Sequence, residues 1–341
     1  MLHIETRGTW REMGRQIGEQ FRRWFPPVLE HFAPYLRSDF ESVRPAVRRI
    51  GRMLEKNAPD LLEETRGVAE GAGFEPEVML GLRFFNEIRG FGADGCSGVF
   101  VADAPEGPLL ARTCDIEPDI SFEIQLCRVS RPNEGPGTVT VTYLPLTGGM
   151  GVNEHGLAVT GSSAPIRPRK TTVGLPVALI NHRLLGRCRN VPEARRLLSS
   201  VKARCKPVLE LVADAAGKSM LVEMAAGRPI VILPRDKQQT WQACSNICFS
   251  GRLPCQGQPH YLYNAYARYG RIVHHLQEGL VERSVAGMKR LLKDVAQPGP
   301  ICPKGASPLE TAYAFVVETH ARAMHLCAGN PNEGTYRRIS L

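Results

Sequence analysis

The sequence predicts an α+β fold in which antiparallel sheets are stacked and helices lie on their outer faces. Three observations carry that expectation. Apolar residues recur at helical spacing up to about residue 95, and short β-prone runs begin at Cys96. Beyond Cys96 the order is strands, helices, strands, helices and a closing strand pair. The composition is 43% hydrophobic and 23% charged, typical of a globular chain, which excludes a disordered tail, a coiled coil and a collagen-like fibre.

The elements follow in order. Trp10, Met13, Ile17, Phe21 and Trp24 keep a three-to-four residue spacing, so the N-terminal stretch reads as helix from its first residues. Pro26 and Pro27 interrupt it. Val43, Val47, Ile50 and Leu54 line one side of a second helix over 42–57. Pro59 opens a third, which runs through Val68 to Gly71 and Gly73. Pro76 opens a fourth, with Met79, Leu82, Phe85 and Ile88 aligned. The glycine-rich GFGADG then ends the helical region. Strands are expected over 99–102, 122–129, 138–144 and 157–160, with 130–137 as a hairpin loop. Residues 174–201 return to helix, re-entered at Val191-Pro192-Glu193. Strands over 208–213 and 220–224 flank the turn Ala216-Gly217-Lys218, and 230–233 makes a third. Residues 261–292 read as helix, and 312–327 as a final hairpin. The helix-to-strand switch at Gly95/Cys96 divides the chain into 1–95 and 96–341.

Charge is distributed unevenly across that boundary. Residues 1–95 carry 14 Lys/Arg and 15 Asp/Glu, and residues 96–341 carry 29 and 19, a net +10 in the second part. The surplus is a solvated basic surface or the footprint of an anionic substrate. No basic run interleaved with aromatics points to nucleic acid. No apolar run reaches the roughly 18 residues of a membrane span, and the first residues lack the apolar core of a signal peptide. The expectation is a soluble cytoplasmic protein. Its ten cysteines show no framework spacing, so reduced thiols are expected.

Cys96 stands in Asp94-Gly95-Cys96-Ser97 at the head of a strand. Glycine before cysteine leaves an unhindered carbonyl that the thiol can attack. Hydrolysis of the resulting thioester would free the α-amine of Cys96. An α-amine with pKa about 7.7–8.0 can serve as base for its own side chain. Arg112 follows 16 residues later and Asp115 three after that, in LLARTCD, where they can sit beside the strand that starts at Cys96. The cation can hold a thiolate or orient a carbonyl, and the carboxylate can receive the α-ammonium. The bland alternative is a surface ion pair.

This constellation resembles the N-terminal nucleophile (Ntn) hydrolases of the choloylglycine hydrolase and acid ceramidase type. The whole chain is more similar to their relatives, the isopenicillin N acyltransferase-like proteins. TWREMGRQIGEQ at 9–20 resembles that family's opening helix, and DGCSG its self-cleavage site. GMGVNEHGLAVT at 149–160, CSNICFSG at 244–251, NAYARYGRI at 264–272 and AGNPNEGTYRRISL at 328–341 resemble its later motifs in the same order. The chain departs from the pattern at Arg112-Thr113-Cys114-Asp115, where Asn-Trp-Asp is frequent, and at Ile247, where histidine is frequent.

The resemblance implies a four-layer αββα sandwich with a helical N-terminal prosegment. It implies self-cleavage between Gly95 and Cys96, with 1–95 as small subunit and 96–341 as large subunit, the two staying associated. Cys96 would be the nucleophile, Arg112 and Asp115 its immediate partners, and Asn246 an oxyanion donor. Asn153 would be pocket-lining or a second oxyanion donor, and Arg268 an electrostatic support. The substrate would be a small-molecule amide or acyl donor, cleaved or transferred without metal or organic cofactor. Association with further copies of the chain is left open. Two readings of other classes also stand. One is a non-catalytic binding or scaffold protein that keeps the fold. The other is a structural zinc protein built on Cys244, Cys248, Cys255 and His260, although these lack a Cys-x-x-Cys pair.

Overall fold

The computed structural model describes residues 1–28, 30, 40–84, 95–116, 124–145, 148–171, 174–203, 205–304 and 309–341. Two compact units emerge, one of residues 1–91 with 121–149 and one of residues 92–120 with 150–341. The units therefore do not follow the boundary at Gly95/Cys96, because residues 121–149 belong with the N-terminal part.

The first unit opens on a strand. Residues 2–8 are not helical but form strand β1 (Leu2–Gly8), with Ile4 and Thr6 buried in alternation. β1 pairs in parallel with β4 (Ile124–Pro132), which pairs antiparallel with β5 (Thr138–Leu144). A Thr9–Glu12 capping box then starts helix α1 (Trp10–Phe21), and a 3-10 turn over Arg22–Trp24 ends it. Helices α2 (Phe40–Asn57), α3 (Pro59–Ala72) and α4 (Pro76–Arg83) complete the helical region. The aligned positions Phe85 and Ile88 lie outside the described residues. Ile4, Ile17, Phe21, Val68 and Met79 share one core with Leu126 and Leu144 of β4 and β5.

α1 and α3 cross backbone to backbone. A methyl group on Gly14 would strike the Glu64 carbonyl, and one on Gly67 would strike that of Arg11. We expect Gly67→Ala to lose at least about 1–3 kcal/mol, the ordinary cost of overpacking, read as a fall in thermal midpoint. Gly186, a helical glycine with open space around its Cβ position, is the contrast. Gly186→Ala should leave stability unchanged or raise it by up to about 1 kcal/mol, read as an unchanged or higher midpoint.

The second unit holds two sheets. One runs β11 (Trp241–Cys244), β2 (Gly95–Val101), β3 (Leu109–Ile116), β12 (Glu310–Glu318), β13 (Ala323–Ala328) and β14 (Tyr336–Ser340), antiparallel throughout. The other runs β6 (Met150–Asn153), β7 (Ala158–Ser163), β8 (Val208–Ala213), β9 (Ser219–Met224) and β10 (Val231–Pro234). β2 and β3 pack face to face on β7. Helix α5 (Val177–Arg187) covers β6 and β7, and α6 (Val191–Ser200) covers β8. On the opposite side α7 (Pro259–Gln277) covers β2 and β11, and α8 (Val285–Leu291) covers β12. The layering is αββα, as the resemblance implied. Val99, Val101, Leu109 and Ala111 meet Ile272, Leu276 and Met288 under the α7–α8 layer. Among the described residues no helix is long and apolar enough to cross a membrane.

Candidate active site

Every residue singled out in the sequence for chemistry lies in the second unit. The β2–β3 hairpin brings the first three together. Its register sets Gly95 opposite Asp115, Cys96 opposite Cys114, and Gly98 opposite Arg112. Side chains alternate between faces along a strand. Cys96, Gly98 and Arg112 therefore share the face toward the second sheet. A Cβ on Gly98 would come within 3.6 Å of Thr160 on β7. Gly95, Ser97 and Asp115 share the face toward α7.

Arg112, 3% exposed, donates from Nη2 to Cys96 Sγ at 3.1 Å and from Nη1 to Tyr313 Oη at 3.0 Å. Nη1 also contacts Met150 Sδ, and the guanidinium lies 5.5 Å from the centre of the Tyr313 ring. A guanidinium held against a sulfur favours the thiolate over the thiol.

The backbone around Cys96 is held from α7 and from the loop after β11. Arg268, 2% exposed on α7, donates from Nη1 to the Cys96 carbonyl at 2.6 Å and to Ser97 Oγ at 3.0 Å. Its Nη2 donates to Asn246 Oδ1 at 2.8 Å, and its Nε to Asn264 Oδ1 at 2.7 Å. The Cys96 amide donates to the same Asn246 oxygen at 2.9 Å. Asn246 Nδ2 donates to the Ser163 carbonyl and Oγ, both at 3.0 Å. The loop has its own anchors. Ser245 Oγ donates to the Ala265 carbonyl at 2.8 Å, and buried Glu223 on β9 accepts from the Phe249 and Ser250 amides.

Asp115 is fully buried. Its Oδ1 accepts from Thr311 Oγ1 at 2.8 Å. Its Oδ2 has no hydrogen-bond partner among the described residues and would lie 3.4 Å from a Cβ on Gly95. Burial pushes this carboxyl up to about 7, against the pull of Arg268 and the Thr311 hydrogen bond. An unpartnered buried carboxylate oxygen beside a peptide bond is a costly arrangement unless a donor or proton arrives there.

Two assignments change on seeing the site. Asn153 is buried, but its amide is filled by backbone groups. Nδ2 donates to the Leu185 and Cys188 carbonyls at 2.9 and 2.8 Å, and Oδ1 accepts from the His155 and Leu157 amides. It anchors the β6–β7 turn to the end of α5 and offers no donor to a substrate oxygen. Asn246 lies against Cys96, but it meets the Cys96 amide as an acceptor while its donors face Ser163. All ten cysteines are free thiols, and among the described residues no cluster of His, Cys, Asp and Glu is arranged to hold a metal ion.

Sequence reading missed Thr311, Tyr313, Ser163 and Met150. Tyr313 and Thr311 carry an alternation signal, but a β-bulge in β12 breaks it.

Comparison with known proteins adds an independent finding. A family model described as acyl-coenzyme A:6-aminopenicillanic acid acyl-transferase matches residues 103–333. Penicillin V acylase from Agrobacterium tumefaciens is a similar solved structure, with 14% identity, 72% of this chain and 86% of that chain covered, and a TM-score of 0.47. A variant of the conjugated bile acid hydrolase from Clostridium perfringens is another, at 13% identity, covering 72% and 92%, with a TM-score of 0.49.

Proposed function

We propose a reaction for this chain on one premise: it belongs to the acyl-coenzyme A:6-aminopenicillanic acid acyl-transferase family. Its chemistry is therefore amide cleavage or acyl transfer. The finer reading is a self-activating cysteine enzyme that works on a small linear amide through an acyl-thioester on Cys96. One observation carries it: Cys96 has its sulfur against Arg112 and its amide nitrogen against Asn246, next to a carboxylate oxygen of Asp115 that has no hydrogen-bond partner among the described residues.

Activation would begin with attack of the Cys96 sulfur on the Gly95 carbonyl carbon. The C–N bond of that peptide then breaks, and the nitrogen takes up a proton. The acyl group moves from nitrogen to sulfur, and water hydrolyses the thioester. Gly95 leaves as a carboxylate, and Cys96 keeps a free α-amine. Asp115 would accept that amine as an ammonium, and Asn246 Oδ1 already accepts from the same nitrogen. In turnover the α-amine takes the thiol proton, and the thiolate attacks the substrate carbonyl. The oxyanion would take an Asn246 Nδ2 hydrogen from the rotatable Ser163 hydroxyl. The α-ammonium returns its proton to the substrate nitrogen as the C–N bond breaks and the amine leaves, and water or an acceptor amine then removes the acyl group from sulfur.

Residues 1–95 would stay associated with 96–341 after the cut. β1 is paired along its length with β4, and the core under α1 includes Leu126 and Leu144, so both fragments contribute to one compact unit. The cytoplasm is the proposed compartment.

The test is the intact mass of the purified chain under denaturing conditions across a pH series. Self-cleavage needs Asp115 ionised to balance the emerging ammonium. Its carboxyl sits at about 7, so the ionised fraction falls as pH drops below that value. The cleavage rate should fall about tenfold per pH unit below 7 and level off above it. An uncleaved chain at every pH, with no thioester formed on Cys96 by an acyl probe, would sink the reading.

A further inference from the structure

β12 pairs with β3 in two registers. Tyr313 stands opposite Cys114 and Phe315 opposite Arg112, but Thr311 stands opposite Asp115 and Glu310 opposite Ile116. Ala312 is the extra residue. In an unbroken strand Thr311 and Tyr313 would point to the same side. A bulge turns one side chain relative to the next. Thr311 Oγ1 reaches Asp115 Oδ1 at 2.8 Å on the helix-facing side, and Tyr313 Oη receives Arg112 Nη1 at 3.0 Å on the sheet-facing side. Both residues are buried, Thr311 1% and Tyr313 2% exposed. The Tyr313 ring is also fixed by stacking on Phe315, with centroids 6.4 Å apart.

We propose that the bulge at Ala312 is a positioning device that makes β12 a two-sided clamp, Thr311 holding the Asp115 carboxylate and Tyr313 holding the Arg112 guanidinium. The inference rests on Cys96 as nucleophile and adds two positioning residues to that site. Neither touches the reacting atoms. Tyr313 ties down one nitrogen of Arg112, so that the other faces the sulfur. Thr311 occupies one oxygen of Asp115 and leaves Oδ2 open beside Gly95.

The groups facing Asp115 are Cys96 on β2, Arg112 on β3, Arg268 on α7, and Cys302, all electrostatically coupled to it. Thr311 adds a neutral hydrogen bond to the ionised form. Its loss must raise the pH at which Asp115 ionises, while loss of Tyr313 Oη acts on Arg112.

The experiment compares Thr311→Val, Thr311→Ser and Tyr313→Phe with the full wild-type chain. Folding is checked by thermal melting. Thr311→Val should move the acid limb of self-cleavage up by about one pH unit, and Thr311→Ser should restore the wild-type limb. Tyr313→Phe should lower kcat about tenfold with KM little changed. It should also shift the pH profile of Cys96 alkylation by iodoacetamide upward, read by peptide mass. Rates that drop equally in Thr311→Val and Thr311→Ser without any shift of the limb would overturn the clamp, as would an unshifted alkylation profile in Tyr313→Phe. If wild type neither cleaves nor turns over, the enzyme reading fails. The alkylation profile then still decides whether Tyr313 places Arg112 against the sulfur.

Discussion

A Cys96→Ala chain should remain one piece of 37.6 kDa, while wild type separates under denaturing conditions into two. By proportion of length the pieces are about 10 and about 27 kDa, the larger beginning at Cys96. The effect is all-or-none because no other thiol can replace Cys96. Only residue 96 directly follows the Gly95 carbonyl, whereas Cys114 lies on the facing strand and Cys244 lies beside Gly98, where burial pushes its thiol up to about 12. Amide-cleaving or acyl-transfer activity should fall by about four orders of magnitude or more, the scale seen when a covalent nucleophile is removed. Alanine leaves the amide of residue 96 free to bond Asn246, so the thermal midpoint should move little. A two-piece Cys96→Ala chain would place the cut and the nucleophile elsewhere. A one-piece wild type with full activity would separate catalysis from self-cleavage.

The cluster of Cys96, Arg112 and Asp115 was legible because it is local. Cys96, Arg112 and Asp115 sit on two adjoining strands of one hairpin, and hairpin register converts sequence spacing directly into contact. The helical leader was legible for the same kind of reason, since a 3.6-residue period needs no distant partner. β1 was not. Its alternation covers only Leu2–Gly8, and the partner that makes it a strand is β4, more than a hundred residues away. β6 and β11, four residues each, are too short for any periodic signal. Asn246 and Arg268 entered only through resemblance, because their contacts with Cys96 span 150 and 172 residues. Asn153 was read as lining the pocket, but its amide bonds only to the backbone of its own turn and of the adjoining helix end. A Gly-x-Asn-x-x-Gly turn says that the amide will be used, and the structure spends it on the turn itself. Thr311 and Tyr313 were hidden by the bulge, which is set by tertiary pairing and leaves the alternation in TAYAFVV looking regular.

Arg268→Met should abolish self-cleavage at neutral pH through Asp115 rather than through loss of a substrate contact. Methionine keeps much of the volume of the arginine stem, so packing beneath α7 is largely retained. What goes is the charge. Arg268 is the strongest force holding the Asp115 carboxyl down against burial, and with it that carboxyl still sits at about 7. Without it the group must ionise at a higher pH, so Asp115 is protonated at pH 7 and cannot receive the ammonium. The Cys96 carbonyl, Ser97 Oγ and Asn246 Oδ1 lose donors in the same step. Removing one member of a buried charged network costs about 3–5 kcal/mol, so the melting midpoint should also fall. The two effects separate by pH. Raising the pH to about 9 should recover part of the cleavage rate if Asp115 ionisation is the block, whereas the stability deficit remains. An Arg268→Lys chain restores a charge but not the fork that spans Cys96, Ser97 and Asn246. It should therefore recover the wild-type pH limb with a lower plateau. Equal inactivity of both variants at every pH would assign Arg268 to holding the backbone of β2 instead.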